Sequence, residues 1–295
     1  MSNPKEIKRR ILSIESVIKT TEAMKMISIV KLRKHKGLLK SAKTYYDHIE
    51  LLLSDFFLTE KKENFEIKKY FLEEGQNSIL IIFTSNRGLC GSFNSSIFEK
   101  INFFFQKNIS LHHNECMFFS VGKKGFDFLS KKYGIHEKNN NWIDWENNFS
   151  KVCENTRFLT KKLIFNFIKR NFSSIYLIYN NLKNSLFQET IIEKLLPINV
   201  GNFKEKRKRI DYIIEPSKKE VFHYLIPKFI SSKLLKIFLE SSVTEHTLRM
   251  ISMHKATENA HDIKNNLVLN YNKERQTSIT KEILEIISGL ESLKK

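Results

Sequence analysis

Both ends of this chain are long stretches with almost nothing to stop a helix, and each carries apolar residues at the alternating four-and-three spacing of a coiled-coil seam. From Asn3 to about Phe57, Pro4 sits where a first-turn proline belongs. Ile7, Ile11, Ile14 and Ile18 mark the seam and Thr21 takes the next place, while Lys8, Arg9, Arg10, Glu15 and Lys19 fall off it. Taken whole, such a helix is about 80 Å long at 1.5 Å per residue. It cannot bury its stripe inside a small domain and needs a partner along its length.

The C-terminal end reads the same way. Between Ser217 and Leu290, Pro227 is the one proline and Gly289 the one glycine, and Ile279, Ile283, Ile286 and Leu290 step by four, three and four. The spacing predicts coiled-coil packing for that isoleucine face. Two such helices at opposite ends of one chain can pair as an antiparallel coiled coil. Pro227 removes an interior hydrogen bond, which predicts a kink or a separate short helix before it.

The middle has a different texture. Ser78–Thr84 is a short apolar run after the turn-like Gly75–Asn77 and reads as a buried strand. Glu115–Val121 and Ser174–Tyr179 are two more, with helical stretches at about Ser95–Lys107, Gly122–Tyr133 and Phe149–Arg170. This alternation predicts a parallel or mixed sheet with helical cover. Gln188–Leu195 and Asp211–Glu215 are candidate edge strands, Thr59–Asn77 a charged connector and Gly201–Arg209 a basic loop. The domain boundaries that follow are 1–58 for the N-terminal helix, 59–215 for the α/β middle and 216–295 for the C-terminal helix.

Lys+Arg is 50 against Asp+Glu 32, a net charge of +18, and such a surface suits an acidic partner. Heavy use of Lys, Asn, Ile and Phe is also what an AT-rich genome writes, so part of the basicity follows codon usage. No uncharged run reaches the length of a membrane span, and the N-terminus leads into no signal-peptide core, which points to the cytoplasm. Cys90, Cys116 and Cys153 lack paired spacing and suggest neither a disulfide framework nor a zinc site.

Asn86-Arg-Gly-Leu-Cys-Gly-Ser-Phe-Asn94 follows a strand and opens a helix, where phosphate-binding loops live. It lacks both the Gly-Lys-Ser/Thr of a P-loop and the glycine spacing of a dinucleotide fingerprint. A tight strand-to-helix turn, capped by Asn94 or Ser95, is the better reading. Cys90 at that helix start has no His near it in sequence, so a small buried side chain is favoured over a nucleophile. His246, His254 and His261 stand eight and seven apart, too far for a metal pair on one helix, and no metal ligand set is expected. Lys25–Lys36 mixes basic and apolar residues as a nucleic-acid helix can. No helix-turn-helix, zinc finger or RNP motif accompanies it, and a solvated coiled-coil face is preferred.

Three segments together are specific: Thr20-Thr-Glu-Ala-Met-Lys-Met-Ile-Ser-Ile-Val-Lys-Leu-Arg33, Asn86-Arg-Gly-Leu-Cys-Gly91 and Tyr271-Asn-Lys-Glu-Arg-Gln-Thr-Ser-Ile-Thr-Lys-Glu-Ile283. With Glu245-His-Thr-Leu-Arg-Met-Ile-Ser-Met-His-Lys-Ala-Thr-Glu-Asn-Ala260, the chain closely resembles the gamma subunit of F-type ATP synthase of the bacterial type, over its full length and in the right order. The resemblance implies an α/β fold in which a long antiparallel coiled coil of the N- and C-terminal helices carries a central Rossmann-like domain.

It also implies a role: a rotor, not an enzyme, with no cofactor. Such subunits stand inside a ring of alternating alpha and beta subunits, meet an epsilon subunit, and are anchored on the c-ring at the cytoplasmic face of the membrane. By motif position, Arg275, Gln276, Thr280 and Glu282 match the contact with the catalytic ring near a beta-subunit loop. Met24, Lys25, Met26 and Arg249 match the segments that couple rotation to catalysis. Tyr212 and Glu215 match the foot that meets the c-ring. Asn86 stands where the family usually has Asp, Val243-Thr244 where Ala-Ser is usual, and Glu258 where Asp is usual. The cysteine-bearing insertion of chloroplast relatives is absent, so no thiol control of rotation is expected.

Overall fold

The computed structural model describes residues 4–59, 69–73, 75, 77–107, 116–134, 142–143, 149–184, 187–199, 213–215 and 217–293. In order the elements are α1 (Pro4–Thr59), β1 (Ser78–Phe83), α2 (Phe93–Lys107), β2 (Cys116–Val121), α3 (Lys123–Tyr133), β3 (Trp142–Ile143), α4 (Phe149–Ile168), β4 (Ser174–Leu182), β5 (Gln188–Leu196) and α5 (Lys218–Leu293). They form two compact units: Lys31–Leu248, and the chain up to Val30 together with the chain from Arg249 onward.

In the first of these, a five-stranded sheet runs in the order β3-β2-β1-β4-β5 among the described residues. β1 pairs in parallel with β2 and β4, β2 with β3, and β5 closes one edge antiparallel to β4. The strand order reverses at β1, so the crossovers through α2 and α3 lie on one face and the crossover through α4 on the other, as in doubly wound sheets. Central β1 is buried at all six positions. Its alternation sends Ile79, Ile81 and Phe83 to one face and Leu80 and Ile82 to the other.

The second face packs on α2 and α3 through Phe93, Ile97, Ile101 and Leu129. The first packs on α4 and on the stretches of α1 and α5 within this unit. Val152, Leu159 and Leu163 come from α4, Tyr46, Ile49 and Leu53 from α1, and Phe222, Ile226 and Ile230 from α5. Tyr46 stacks on Phe229 with ring centroids 5.5 Å apart, and Phe56 meets Phe222 edge-on at 5.6 Å.

Gly122 joins β2 to α3 at φ +101°, and a Cβ there would fall 2.1 Å from the carbonyl oxygen of Thr84. No L side chain fits that turn.

α5 runs unbroken through Pro227, so the separate short helix expected before it does not form. The neighbouring turns bury Phe222, Ile226, Phe229 and Ile230. Burying each such side chain is worth about 1.5–3 kcal/mol, more in sum than the ~3 kcal/mol of an interior proline. Ile213–Glu215 lie outside any strand, so they form no edge of the sheet; Asp211 and Tyr212 fall outside the described residues. The basic loop Gly201–Arg209 and most of the Thr59–Asn77 connector also fall outside them.

In the other unit, α1 and α5 pair antiparallel. Thr21 meets Thr257 and Glu15 meets Lys264. The residues of α1 turned inward are Ile7, Ile11, Ile14, Ile18, Thr21 and Ser28, on the spacing read from the sequence. On α5 the inward positions are Met253, Thr257, Ala260, Lys264, Leu267, Tyr271 and Glu274, also stepping by four and three.

That seam is displaced by one to two residues from the isoleucine stripe. Ile279, Ile283, Ile286 and Leu290 are 49%, 50%, 64% and 58% exposed, so they are not coiled-coil packing. The reason is register. Pro4 lies eleven residues before Glu15, which puts it level with residue 275, eleven beyond Lys264. Past that level α5 has outrun the described start of its partner.

Candidate functional site

α5 carries the predicted grip at and beyond the level of the described start of α1. Arg275, Gln276, Thr280 and Glu282 are all exposed. The Thr280 hydroxyl donates to the Gln276 carbonyl at 2.9 Å and Ser278 Oγ to Glu282 Oε1 at 3.4 Å. Both bonds lie along the helix, and Arg275 and Glu282 stay exposed to solvent. A guanidinium and a carboxylate at this spacing, amid Ile279, Ile283, Leu284, Ile286, Ile287 and Leu290, present an apolar tip with a polar collar. Such a surface suits a partner that offers an apolar sleeve and a charged rim.

The residues expected from the resemblance to couple rotation to catalysis occupy the same unit. Met24 and Lys25 are half-buried, Met26 is 62% exposed and Arg249 is 8% exposed. The register set by Thr21 and Thr257 places Lys25 level with Met253, one helical turn from Arg249. The structure thus brings Met24–Met26 and Arg249 to neighbouring levels of one helix pair. Met26, Ile27 and Val30 form an exposed apolar strip on the outer side of α1. Of the foot residues, Glu215 is exposed and Tyr212 lies outside the described residues.

The loop Asn86–Gly91 is a structural turn. Ser85 is fully buried, and its N–H donates to Asn94 Oδ1 at 3.1 Å. The Asn94 amide donates back to Ser85 Oγ at 2.8 Å and to Cys90 Sγ at 3.4 Å. Asn94 therefore ties the loop and does not cap α2; nor does Ser95, whose hydroxyl donates to the Ser92 carbonyl. Ser92 holds the cap position, taking the amide N–H of Ser96 on its carbonyl and a Gln188 side-chain N–H on its hydroxyl. Cys90 is buried, as expected of a turn residue.

The neighbouring helix start is filled as well. Asn86 Oδ1, the Ser85 carbonyl and Thr84 Oγ1 accept the N–H groups of Lys123, Lys124 and Gly125 at 2.9, 3.0 and 2.9 Å. The orphan donors that would cradle a phosphate at α3 are spent on the chain itself. Asn86, where the family usually has Asp, makes this bond through its amide oxygen.

At the strand-order reversal between β1 and β4, where doubly wound sheets hold ligands, Asn180 fills the space. Fully buried, it donates to the Phe93 carbonyl at 2.7 Å, accepts from Thr190 at 2.6 Å, and its backbone carbonyl accepts from Thr244 at 3.4 Å. A cavity of about 30 Å³, the volume of one water, lies beside Thr84, Asn86, Ser242, Glu245 and the His35–His246 ring pair. Asn180 and the Thr21–Thr257 pair were not singled out by sequence reasoning, although Thr21 stood visibly on the seam.

A family model described as ATP synthase matches residues 3–293. The ATP synthase gamma chain of Christiangramia forsetii is 39% identical, with 99% of each chain covered. That of Flavobacterium johnsoniae is 37% identical, again with 99% of each covered. Among solved structures, a chain of the Euglena gracilis mitochondrial ATP synthase OSCP/F1/c-ring assembly aligns with a TM-score of 0.61 at 17% identity, covering 99% of this chain and 95% of that one. A chain of the rotor of the same enzyme aligns at 0.59 and 14%, covering 94% and 98%. At those identities the structural likeness speaks for the fold.

Proposed function

The chain belongs to the ATP synthase gamma chain family, and on that premise we propose how its residues serve a rotor. The chain is the central stalk subunit of an F-type ATP synthase, coupling proton flow to ATP synthesis by rotation, and is not itself a catalyst. Its immediate neighbours are a ring of alternating alpha and beta subunits, an epsilon subunit and the c-ring. No described helix is long and apolar enough to cross a membrane. In our reading the partners hold the chain at the cytoplasmic face of the bacterial membrane.

The observation that carries the residue assignments is the free end of α5. Beyond about residue 275 it passes the described start of its partner helix and exposes isoleucines that cost free energy in water until something covers them. The alpha–beta ring is that cover. Arg275, Gln276, Thr280 and Glu282 sit at the rim, where Arg275 can grip a beta-subunit carboxylate with two parallel hydrogen bonds. Met24, Lys25, Met26 and Arg249 transmit the angle of the shaft. Tyr212 and Glu215 meet the c-ring loops. A shaft whose sides differ presents each beta subunit with a different face at each angle. A ligand shifts a conformational equilibrium by its differential affinity for the states, and the turning shaft acts as such a ligand.

Native mass spectrometry of the assembly recovered through a tag on this chain tests the reading. The expected species holds a single copy of the chain with alpha and beta subunits. Recovery of the chain alone or with nucleic acid, while the alpha–beta ring stays intact, would favour the basic coiled-coil binder instead.

A further inference from the structure

On the rotor reading above, torque delivered to one helix of the shaft must reach the other, so their register has to be held. Apolar packing holds it weakly here. Facing the isoleucines of α1, the α5 seam runs Thr257, Ala260, Lys264, Leu267 and Tyr271, small or polar at its first three places and only partly buried at Leu267 and Tyr271. A seam with so little shape tolerates a slide of one heptad, and in coiled coils a polar residue on the seam is what singles out one register.

Two polar contacts supply that here. Thr257, 5% exposed, donates to Thr21 Oγ1 at 2.8 Å. Thr21 in turn donates to the Ile18 carbonyl at 3.0 Å, while Thr257 Oγ1 also lies 2.8 Å from the Met253 carbonyl. The two hydroxyl protons can therefore run in either direction along a chain that ends on the backbone of each helix. Seven residues further along α5, Lys264 Nζ meets Glu15 Oε1 at 3.0 Å, with both side chains about one-third exposed. A slide of one heptad sets Thr21 against Lys264 and Glu15 against Tyr271, and both contacts are lost.

We propose that Thr21 and Thr257, supported by Glu15 and Lys264, are positioning residues that key the register of α1 against α5, so that the two helices turn as one. The key acts through the shaft and touches no substrate. Its loss leaves ATP hydrolysis running and reduces the protons moved per ATP.

The test uses the assembled ATP synthase in sealed vesicles, measuring ATP-driven proton pumping against ATP hydrolysis. Thr257→Val keeps the side-chain shape and removes the hydroxyl. The preference for the native register falls about fivefold, the equilibrium factor of one ordinary hydrogen bond, and pumping per ATP drops. Thr257→Ser keeps the hydroxyl and keeps the coupling. The double variant Thr21→Val with Thr257→Val exchanges a polar pair for an apolar pair of the same shape, which is close to neutral for stability. It melts like the wild type and still pumps poorly.

Three results overturn the key: wild-type pumping in Thr257→Val, full pumping in the double variant, or Thr257→Ser as impaired as Thr257→Val. A wild-type complex that assembles without this chain would instead undo the rotor reading, so the two failures are separable.

Discussion

Asn180 shows how much one side chain organises in this fold. Its amide joins β4 to the start of α2 and to β5, and its backbone carbonyl receives α5. Asn180→Leu leaves the buried Phe93 carbonyl and the partly buried Thr190 hydroxyl without this partner. The expected loss is about 3 kcal/mol, read as a lower midpoint in denaturant unfolding of the purified chain. The sequence hid this residue because asparagine is depleted in strands. The apolar run was read as ending at Tyr179, whereas β4 continues through Asn180 to Leu182.

A second residue carries a pH signature. Burial raises the carboxyl of Glu240 above its ordinary value of 4.5, Lys236 and Lys43 pull it partly back, and the carboxylates of Glu193 and Asp47 push it up. An acid whose folded value is raised binds more protons folded than unfolded between the two values. Its contribution is therefore fully present below 4.5 and is lost as pH rises through the raised value. Glu240→Gln should flatten the melting temperature against pH across that window and raise it at neutral pH. An unchanged profile would show that the two lysines already neutralise the group. Tyr46 and Tyr179, also raised by burial, stay protonated and donate to Glu50 and Glu193 at 2.8 and 3.2 Å.

At the scale of elements, the two terminal helices teach opposite lessons. The α1 seam was legible because isoleucine occupies each place from Ile7 to Ile18, and those residues turn inward. The α5 seam was not, because its inward places hold Thr257, Ala260, Lys264 and Tyr271, while the eye-catching isoleucines lie one to two residues off. Periodicity finds an apolar stripe but does not say whether this chain or another covers it. The central strands and helices were legible to within a few residues, since buried runs bounded by turns leave little choice. Of the two outcomes expected at Pro227, the separate short helix does not form, because tertiary packing outweighs a local penalty.

A paired substitution separates the two stripes. Ile18→Ala, at a buried place, should cost about 2–5 kcal/mol. Ile283→Ala, at an exposed one, should stay within about 0.5 kcal/mol in the isolated chain. Circular dichroism melts read both. In the assembled complex the order changes if the alpha–beta ring covers the tip, because Ile283→Ala then loosens the grip, seen as faster dissociation of the chain from the ring.

For the whole molecule, family membership and the exposed end of α5 converge on one account. A chain with a net charge of +18 offers a basic surface, which suits an acidic partner, and the exposed end of α5 offers an apolar one. The residues that hold the chain together were only partly visible in sequence. Those assigned to its partners were visible through the resemblance alone, because an exposed arginine or methionine carries no packing pattern to betray it. Arg275→Ala removes the proposed grip on a beta-subunit carboxylate. It should lower ATP-driven pumping and ATP synthesis together while the fold, judged by circular dichroism, is unchanged.

The central claim is that this chain turns. With the alpha–beta ring fixed to a surface and a bead attached to α4 at Lys161, which is exposed, ATP should drive the bead round in one direction, at a rate that tracks ATP concentration. A ring that hydrolyses ATP while the bead stays at a fixed angle would contradict the account.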